Sequence, residues 1–360
     1  MMTRHILLHD GTWQKSDQNN PTNIALFQKC LKDIGEDSVP QKVQYYSGVG
    51  VKGGWLKRAW NGVTGGDIDN IIKDSLSYIA ENYEEGDEIV LLGYSRGAYI
   101  SRTLGGLIYK CGVPKGNEDL RKQVDKAYKF YKNSYKPNSA EASLFRAKHS
   151  VKDRPKMVLG CFDTVGSLGA PNQLVILPAL LNWRHKFHDT RVNRHITFAF
   201  QVAAIDEKRK NFQLTPMQPS ESSSTQIKQV WLSGHHGCIG GGAVGYKPLS
   251  DISAWHMIDN LSKRAAIGFD KIRASSIFGD RNALHRSEDN FKPDGMWKVF
   301  GLKSRTIEHP TVGREVIERI AYTPYAPENL EEHVNYIKKK RFQGTNLAMV
   351  NLNDLSSALS

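Results

Sequence analysis

The sequence predicts an α/β fold: a doubly wound, mostly parallel sheet with helical insertions. Three observations predict it. Apolar runs of strand length alternate with amphipathic stretches of helical period. Glycines and other turn formers stand where one kind of element gives way to the next. A chain of 360 residues with 39% hydrophobic and 24% charged side chains is long enough to bury a sizeable core.

Taken in order, residues 4–8 are the first strand candidate, followed by the turn-rich loop HDGTWQKSDQNNPTN. From Thr22 a helix is expected, with Ile24, Phe27, Cys30 and Leu31 spaced for burial, and KVQYYSG reads as a second strand. Glycines 48, 50, 53 and 54 open a flexible stretch. Residues 67–83 are amphipathic, with Ile68, Ile71, Ile72, Leu76 and Ile79 on one helical face. A short buried strand follows at 88–92, then a helix at 98–111 that Gly112 and Pro114 stop. Residues 116–150 read as helical but polar and could form a cap over a site; KMVLGCFD at 156–163 is the next buried strand. The run QLVILPALLNW at 173–183 is core or a lipid-facing lid, within a second cap segment spanning 171–195. Residues 196–210 are ambiguous in period, and their length and charged end argue for helix. KQVWLSG at 228–234 is the last clear strand, leading into HHGCIGGG. Strands separated by helices indicate parallel pairing. The expectation is a single domain over residues 1–335 and a basic C-terminal tail over 336–360.

Lys and Arg number 49 against 37 Asp and Glu, for a formal net charge of +12. That excess suits an anionic membrane surface or simply a solvated basic exterior. Nucleic acid is disfavoured as a partner, because the densest cluster, Lys338-Lys339-Lys340-Arg341, has no aromatic platform interleaved with it. No apolar run approaches the ~20 residues of a membrane span. The start, MMTRHILLHDGTW, lacks the core of a signal peptide. Synthesis in the cytoplasm is expected, with room for export that needs no signal peptide. Cys30, Cys111, Cys161 and Cys238 are scattered and read as reduced, buried thiols.

The stretch LLGYSRGAYISR carries the strongest chemical signal. A serine between two glycines, after an apolar strand and before a helix, fits a nucleophile elbow: Gly93 and Gly97 have no side chain to collide where the turn is sharp. Ser95 would be the nucleophile. A serine hydroxyl near neutral pH needs a histidine to take its proton and a carboxylate to orient that histidine. His235 and His236 follow a strand at the edge of a glycine-rich turn, where the base should sit. For the acid, Asp163 is favoured because it ends a strand on the sheet edge that displays Ser95. Asp206 and Asp251 stay open as alternatives, the first in a reading of helical surface charge and the second as a helix cap. The oxyanion would need two donors. One is the backbone N–H of Arg96; the other is sought in the Asp10-Gly11-Thr12 loop, where Gly11 lets the backbone approach. His235, His236 and Cys238 have no partner pair at zinc-like spacing, so neither a metal nor an organic cofactor is expected.

The segments HDGTWQKSDQNNPTNI, YYSGVG, GYSRGAYISRTLGGLI, CFDTVGSLGAP, AAIDEKRKNF, VWLSGHHGCIGGG, LSDISAWHMI, HPTVGRE and YTPYAPENL occur in this order from residue 5 to about 330. Together they resemble the α/β-hydrolase domain of type VI secretion phospholipase effectors and their uncharacterised relatives. The resemblance implies an α/β-hydrolase fold, cleavage of acyl esters of phospholipids, and a Ser-Asp-His triad at Ser95, Asp163 and His236. It selects His236 over His235 by alignment on Trp231 and Gly234, and it leaves Gly237 and Cys238 where Ser and Asp are usual. Implied partners are a lipid or other ester substrate, an anionic membrane surface, and an immunity or secretion partner protein. The rival readings are a hydrolase of another ester or of a peptide with the same triad, and a non-catalytic basic binding module on the same fold.

Overall fold

The computed structural model describes residues 2–12, 14–48, 66–116, 119–166, 191–220, 224–279, 302–307, 311–340 and 348–354. Gly50, Gly53, Gly54, the apolar run 173–183 and Arg341 lie outside the described residues.

Strands β1 (Arg4–His9), β2 (Gln41–Tyr46), β3 (Glu88–Tyr94) and β4 (Lys156–Phe162) come first, followed by β5 (Arg191–Val192) and β6 (Ile196–Ala204). Then come β7 (Gln218–Pro219), β8 (Gln226–Leu232), β9 (Thr311–Gly313) and β10 (Met349–Asn351). Eight of them form one sheet ordered β10-β9-β8-β6-β4-β3-β1-β2, while β5 and β7 pair separately. Every neighbouring pair in the large sheet is parallel except β9 with β10. Helices α1 (Asn23–Cys30), α2 (Gly66–Asn82), α3 (Arg96–Cys111), α4 (Leu120–Tyr131) and α5 (Ala140–His149) lie among the first strands. The later ones are α6 (His236–Gly240), α7 (Lys247–Ala265), α8 (Lys271–Phe278), α9 (Arg314–Tyr322) and α10 (Glu331–Lys340).

The sheet is buried on both faces, as parallel sheets are. Successive strand residues point to opposite sides, so Leu7, Ile89, Leu91, Met157 and Leu159 pack under α2 and α3. Their neighbours Ile6, Leu8, Val90, Leu92, Phe198 and Phe200 pack with Phe27 of α1 and Met257 of α7. Thr22 caps α1, its hydroxyl accepting the Ala25 N–H at 3.2 Å. The chain steps from β1 to the β2 edge and returns to β3 on the other flank of β1. The loops after β1 and β3 therefore diverge, opening a crevice at the carboxyl ends of the strands.

Three expectations change. Residues 196–204 are strand, not helix, because Phe198, Phe200 and Val202 pack in one core and Ile196 and Ala199 in the other, leaving no polar face to reveal a period of two. The C-terminal segment is part of the fold: β10 pairs antiparallel with β9, and α10 buries Val334 and Ile337. Within the 116–150 segment, the end of α5 is anchored away from the crevice. The guanidinium of Arg146 on α5 donates to the Lys110 carbonyl at 2.8 Å, and the Ser150 hydroxyl to the Cys111 carbonyl at 2.5 Å. Both carbonyls end α3, about 24 Å along that helix from Ser95.

At the crevice the backbones touch. A Cβ on Gly97 would lie 2.1 Å from the His9 carbonyl oxygen, and one on Gly93 would lie 2.4 Å from the Gly97 oxygen. Gly97→Ala should thus lower stability by about 1–3 kcal/mol. Urea unfolding of the variant checks this, and an unchanged midpoint would contradict the close approach.

Candidate active site

Ser95 joins β3 to α3 with φ 59° and ψ −120°, a conformation that costs a non-glycine residue about 1–3 kcal/mol. It is held on both sides. Its N–H donates to the Phe162 carbonyl at 3.0 Å, and its carbonyl accepts the Tyr99 N–H at 3.2 Å. Asp163 follows β4 in a second positive-φ position, φ 46°, with its N–H on the Val202 carbonyl at 2.8 Å. His236 opens α6 just beyond β8. Parallel pairing of β3, β4, β6 and β8 brings these turns to one edge.

The side chains form a hydrogen-bonded line. His236 Nε2 lies 2.8 Å from Ser95 Oγ, and Nδ1 lies 2.6 Å from Asp163 Oδ2. An ionised carboxylate only accepts, so Nδ1 carries the proton and Nε2 is left to accept from the serine. Ser95 is 6% exposed, His236 5% and Asp163 0%. Burial alone would raise the Asp163 carboxyl, but the charge of Arg305 and the His236 hydrogen bond outweigh it and hold it well below the usual carboxylate range.

Several residues invisible as a motif hold this line in place. Arg305 forks onto Asp163, Nη1 to Oδ1 at 2.6 Å and Nη2 to Oδ2 at 3.0 Å. Glu207, fully buried, accepts the His236 backbone N–H at 3.1 Å and pairs with Arg209 at 2.8 Å. Tyr94 lies under the imidazole with ring centroids 4.8 Å apart and donates its hydroxyl to the His236 carbonyl at 3.2 Å. Phe212 meets the same ring edge-on at 5.1 Å. The sequence signal for Glu207 was misread, since charges in DEKRK resemble a solvated face; Arg305 sits in no recognisable pattern.

The alternative acids serve elsewhere. Asp206 lies in a turn after β6, not in a helix, and accepts the Gly234 N–H at 2.6 Å and the Tyr325 hydroxyl at 2.9 Å; burial pushes it up to about 6. It braces the turn that delivers His236. Asp251 is one turn inside α7, which begins at Lys247, and pairs with Lys247 at 2.5 Å. His235 caps α6, its Nδ1 accepting the Gly237 N–H at 3.1 Å, and burial pushes its imidazole down to about 4.

The loop after β1 also differs from expectation. The Gly11 N–H donates to its neighbour's carboxylate, Asp10 Oδ1, at 2.7 Å. Asp10 also accepts from the Thr22 hydroxyl at 2.7 Å and the Tyr45 hydroxyl at 2.6 Å, so it organises the loop. Such local side-chain capture of a backbone N–H cannot be read from residue types alone. Next to it, the Thr12 hydroxyl is buried and has no hydrogen-bond partner among the described residues. Arg96 is the first residue of α3, immediately after Ser95.

Among the described residues there is no group of three His, Cys, Asp or Glu that could hold a metal ion, and no helix long and apolar enough to cross a membrane. The four cysteines are buried and free.

Comparison with known proteins gives a family match over residues 3–260, to the catalytic domain of Tle1-like phospholipase effectors of the type VI secretion system. The uncharacterized protein YEL023C of Saccharomyces cerevisiae is 27% identical over 235 residues, 59% of this chain and 33% of its own length. The chain thus spans about a third of that curated relative. A crystal structure of an uncharacterized protein from Pseudomonas aeruginosa aligns over 89% of this chain and 53% of its own, with 14% identity and a TM-score of 0.40. The structure of a Tle1 effector bound to the VgrG spike aligns over 68% and 52%, with 17% identity and a TM-score of 0.36.

Burial at Asp206 has a measurable consequence. Folded, its carboxyl keeps a proton up to about pH 6, whereas the unfolded group releases it near 3.8. The folded state binds the extra proton between those values, so this group's contribution to stability falls as pH rises through that window. Urea-unfolding midpoints followed across it should decline less steeply in Asp206→Asn than in the wild type; parallel curves would rule out the buried acid as the cause.

Proposed function

The chain belongs to the family of Tle1-like phospholipase effector catalytic domains of the type VI secretion system, and on that footing we propose that it is a serine hydrolase cleaving acyl ester bonds of phospholipids. The observation that carries the reading is the strained Ser95, with its Oγ 2.8 Å from His236 Nε2.

In this mechanism Ser95 Oγ attacks the ester carbonyl carbon while its proton passes to His236 Nε2. Asp163 stays ionised and steadies the imidazolium through Nδ1. The carbonyl electrons collect on an oxyanion, which the Arg96 backbone N–H at the start of α3 and the Thr12 hydroxyl stabilise. Collapse expels the alcohol, which takes the proton back from Nε2. Water then attacks the acyl-enzyme with the same base and releases the fatty acid.

The net charge of +12 supports work at an anionic membrane surface. Export, and a secretion or immunity partner, belong to the same reading and rest on the family. An ester other than phospholipid, or a peptide, would use the same residues, and a substrate panel separates these.

Ser95→Ala should cut fatty-acid release from phospholipid vesicles by roughly 10⁴–10⁶-fold, abolish labelling by a fluorophosphonate probe, and leave the melting temperature nearly unchanged. Persistent release would retire the scheme, and a wild type inert to the probe would favour a binding module. Thr12→Val should lower kcat by about 10²–10³-fold if the hydroxyl serves the oxyanion. An unchanged kcat would remove Thr12 from that role.

A further inference from the structure

Arg305 lies beyond residue 260, where the family match ends. Its backbone segment, residues 302–307, is laid against the loop that follows β6. The Lys303 N–H donates to the Lys208 carbonyl at 2.7 Å, and Asn329 Nδ2 spans the carbonyls of Ile205 and Arg305 at 3.0 and 3.3 Å. The side chain is 1% exposed.

All five guanidinium protons have acceptors. Nη1 serves Asp163 Oδ1 and, at 3.1 Å, the Ala204 carbonyl; Nη2 serves Asp163 Oδ2 and the Phe212 carbonyl; Nε serves the Phe212 carbonyl at 3.2 Å. An arginine that binds a substrate anion must keep donors open. This one keeps none. The carboxylate is equally full: Oδ1 also accepts the Ala204 N–H at 2.9 Å, so the last lone pair of Oδ2 is the one left for His236. A bidentate fork fixes the plane of a carboxylate, which a single hydrogen bond does not.

Resting on the hydrolase reading above, we propose that Arg305 is a positioning residue: it locks the plane of the Asp163 carboxylate so that one lone pair points at His236 Nδ1. It acts through Asp163 and touches neither substrate nor the reacting atoms. Among the described residues, the charged and titratable groups around His236 are Asp163, Arg305 behind it, Glu207 with Arg209 on the backbone side, Tyr94 beneath the ring and His235 before it in the chain. Among them, Arg305 holds both oxygens of the acid.

Arg305 also lines a cavity of about 260 Å³ together with Gln213, Gln229, Trp231 and Lys303. Shortening the side chain would therefore extend an existing space, and a small guanidinium could enter it.

The test is steady-state turnover of a soluble ester by the full chain, comparing wild type, Ser95→Ala, Arg305→Ala and Arg305→Lys, with folding checked by circular dichroism. Arg305→Ala should lose about 10–100-fold in kcat, as partners that orient a functional side chain do, with KM moving less than about twofold. Methylguanidinium should restore part of the loss in Arg305→Ala and none in Ser95→Ala. Arg305→Lys should fall between, because an ammonium cannot span both oxygens. A folded Arg305→Ala with full kcat, or a loss confined to KM, overturns the proposal. If Arg305→Ala fails to fold, Arg305→Lys decides alone, and a wild-type kcat there overturns the fork. Activity surviving in Ser95→Ala counts against the hydrolase reading and leaves the Arg305 geometry untouched.

Discussion

Asp163 is a carboxylate with no contact with water, and much of the architecture around the crevice exists to make that tolerable. Taking an ion out of water costs several kcal/mol unless its lone pairs are filled and its charge is answered. Here β6 supplies the Ala204 N–H, α6 supplies His236 and the segment at 302–307 supplies Arg305. Three parts of the chain, distant in sequence, must therefore arrive together. Removing any one leaves a buried lone pair or an unbalanced charge. The requirement that fixes the acid also fixes where the histidine stands.

The same economy governs the turns. Ser95 and Asp163 each hold a positive φ at the carboxyl ends of adjacent strands, and the Ser95 N–H is tied to Phe162, the residue before Asp163. Strain of this kind survives only where the surroundings over-determine it. The glycines at 93 and 97 let β1, the elbow and the start of α3 close to backbone contact, so the elbow has nowhere to relax. Tyr94 extends the support, because its ring fills the space beside Gly11 and Gly240 and lies under the imidazole. Sheet geometry, turn strain and aromatic packing thus converge on the same three side chains.

How much of this could be read from the residues follows from the range of each interaction. Ser95 was legible because its turn is local: an apolar run, two glycines and a helical stripe lie within a few residues of one another. Asp163 was legible as the end of a strand. β6 was misread because a strand buried on both faces loses its alternation, and that error turned Asp206 into a helical surface charge. β9 and β10 are three residues each, too short for any period to show. Arg305 and Glu207 were out of reach for another reason: charged residues default to a solvated reading, and their burial depends on partners far away in the sequence. The loop of Gly11 was legible but the direction of its N–H was not, since its capture by Asp10 is a matter of one rotamer.

The charges around His236 also explain why orientation matters more here than net field. Asp163 and Glu207 are each matched by a guanidinium, Arg305 and Arg209, at 2.6 and 2.8 Å. Viewed from a distance, the four groups cancel. A lone buried carboxylate would favour an imidazolium from every direction through the low-dielectric interior. A carboxylate already paired favours it mainly along the line of its remaining lone pair, where the contact is 2.6 Å. On the reading proposed here, the positive charge on the ring is transient and is accompanied by a negative charge on the substrate oxygen. A neutral surround does not oppose that pair of charges, and it does not hold either one after the other has gone. Directed hydrogen bonds then stabilise the short-lived state, while the matched ion pairs keep the resting site stable without water.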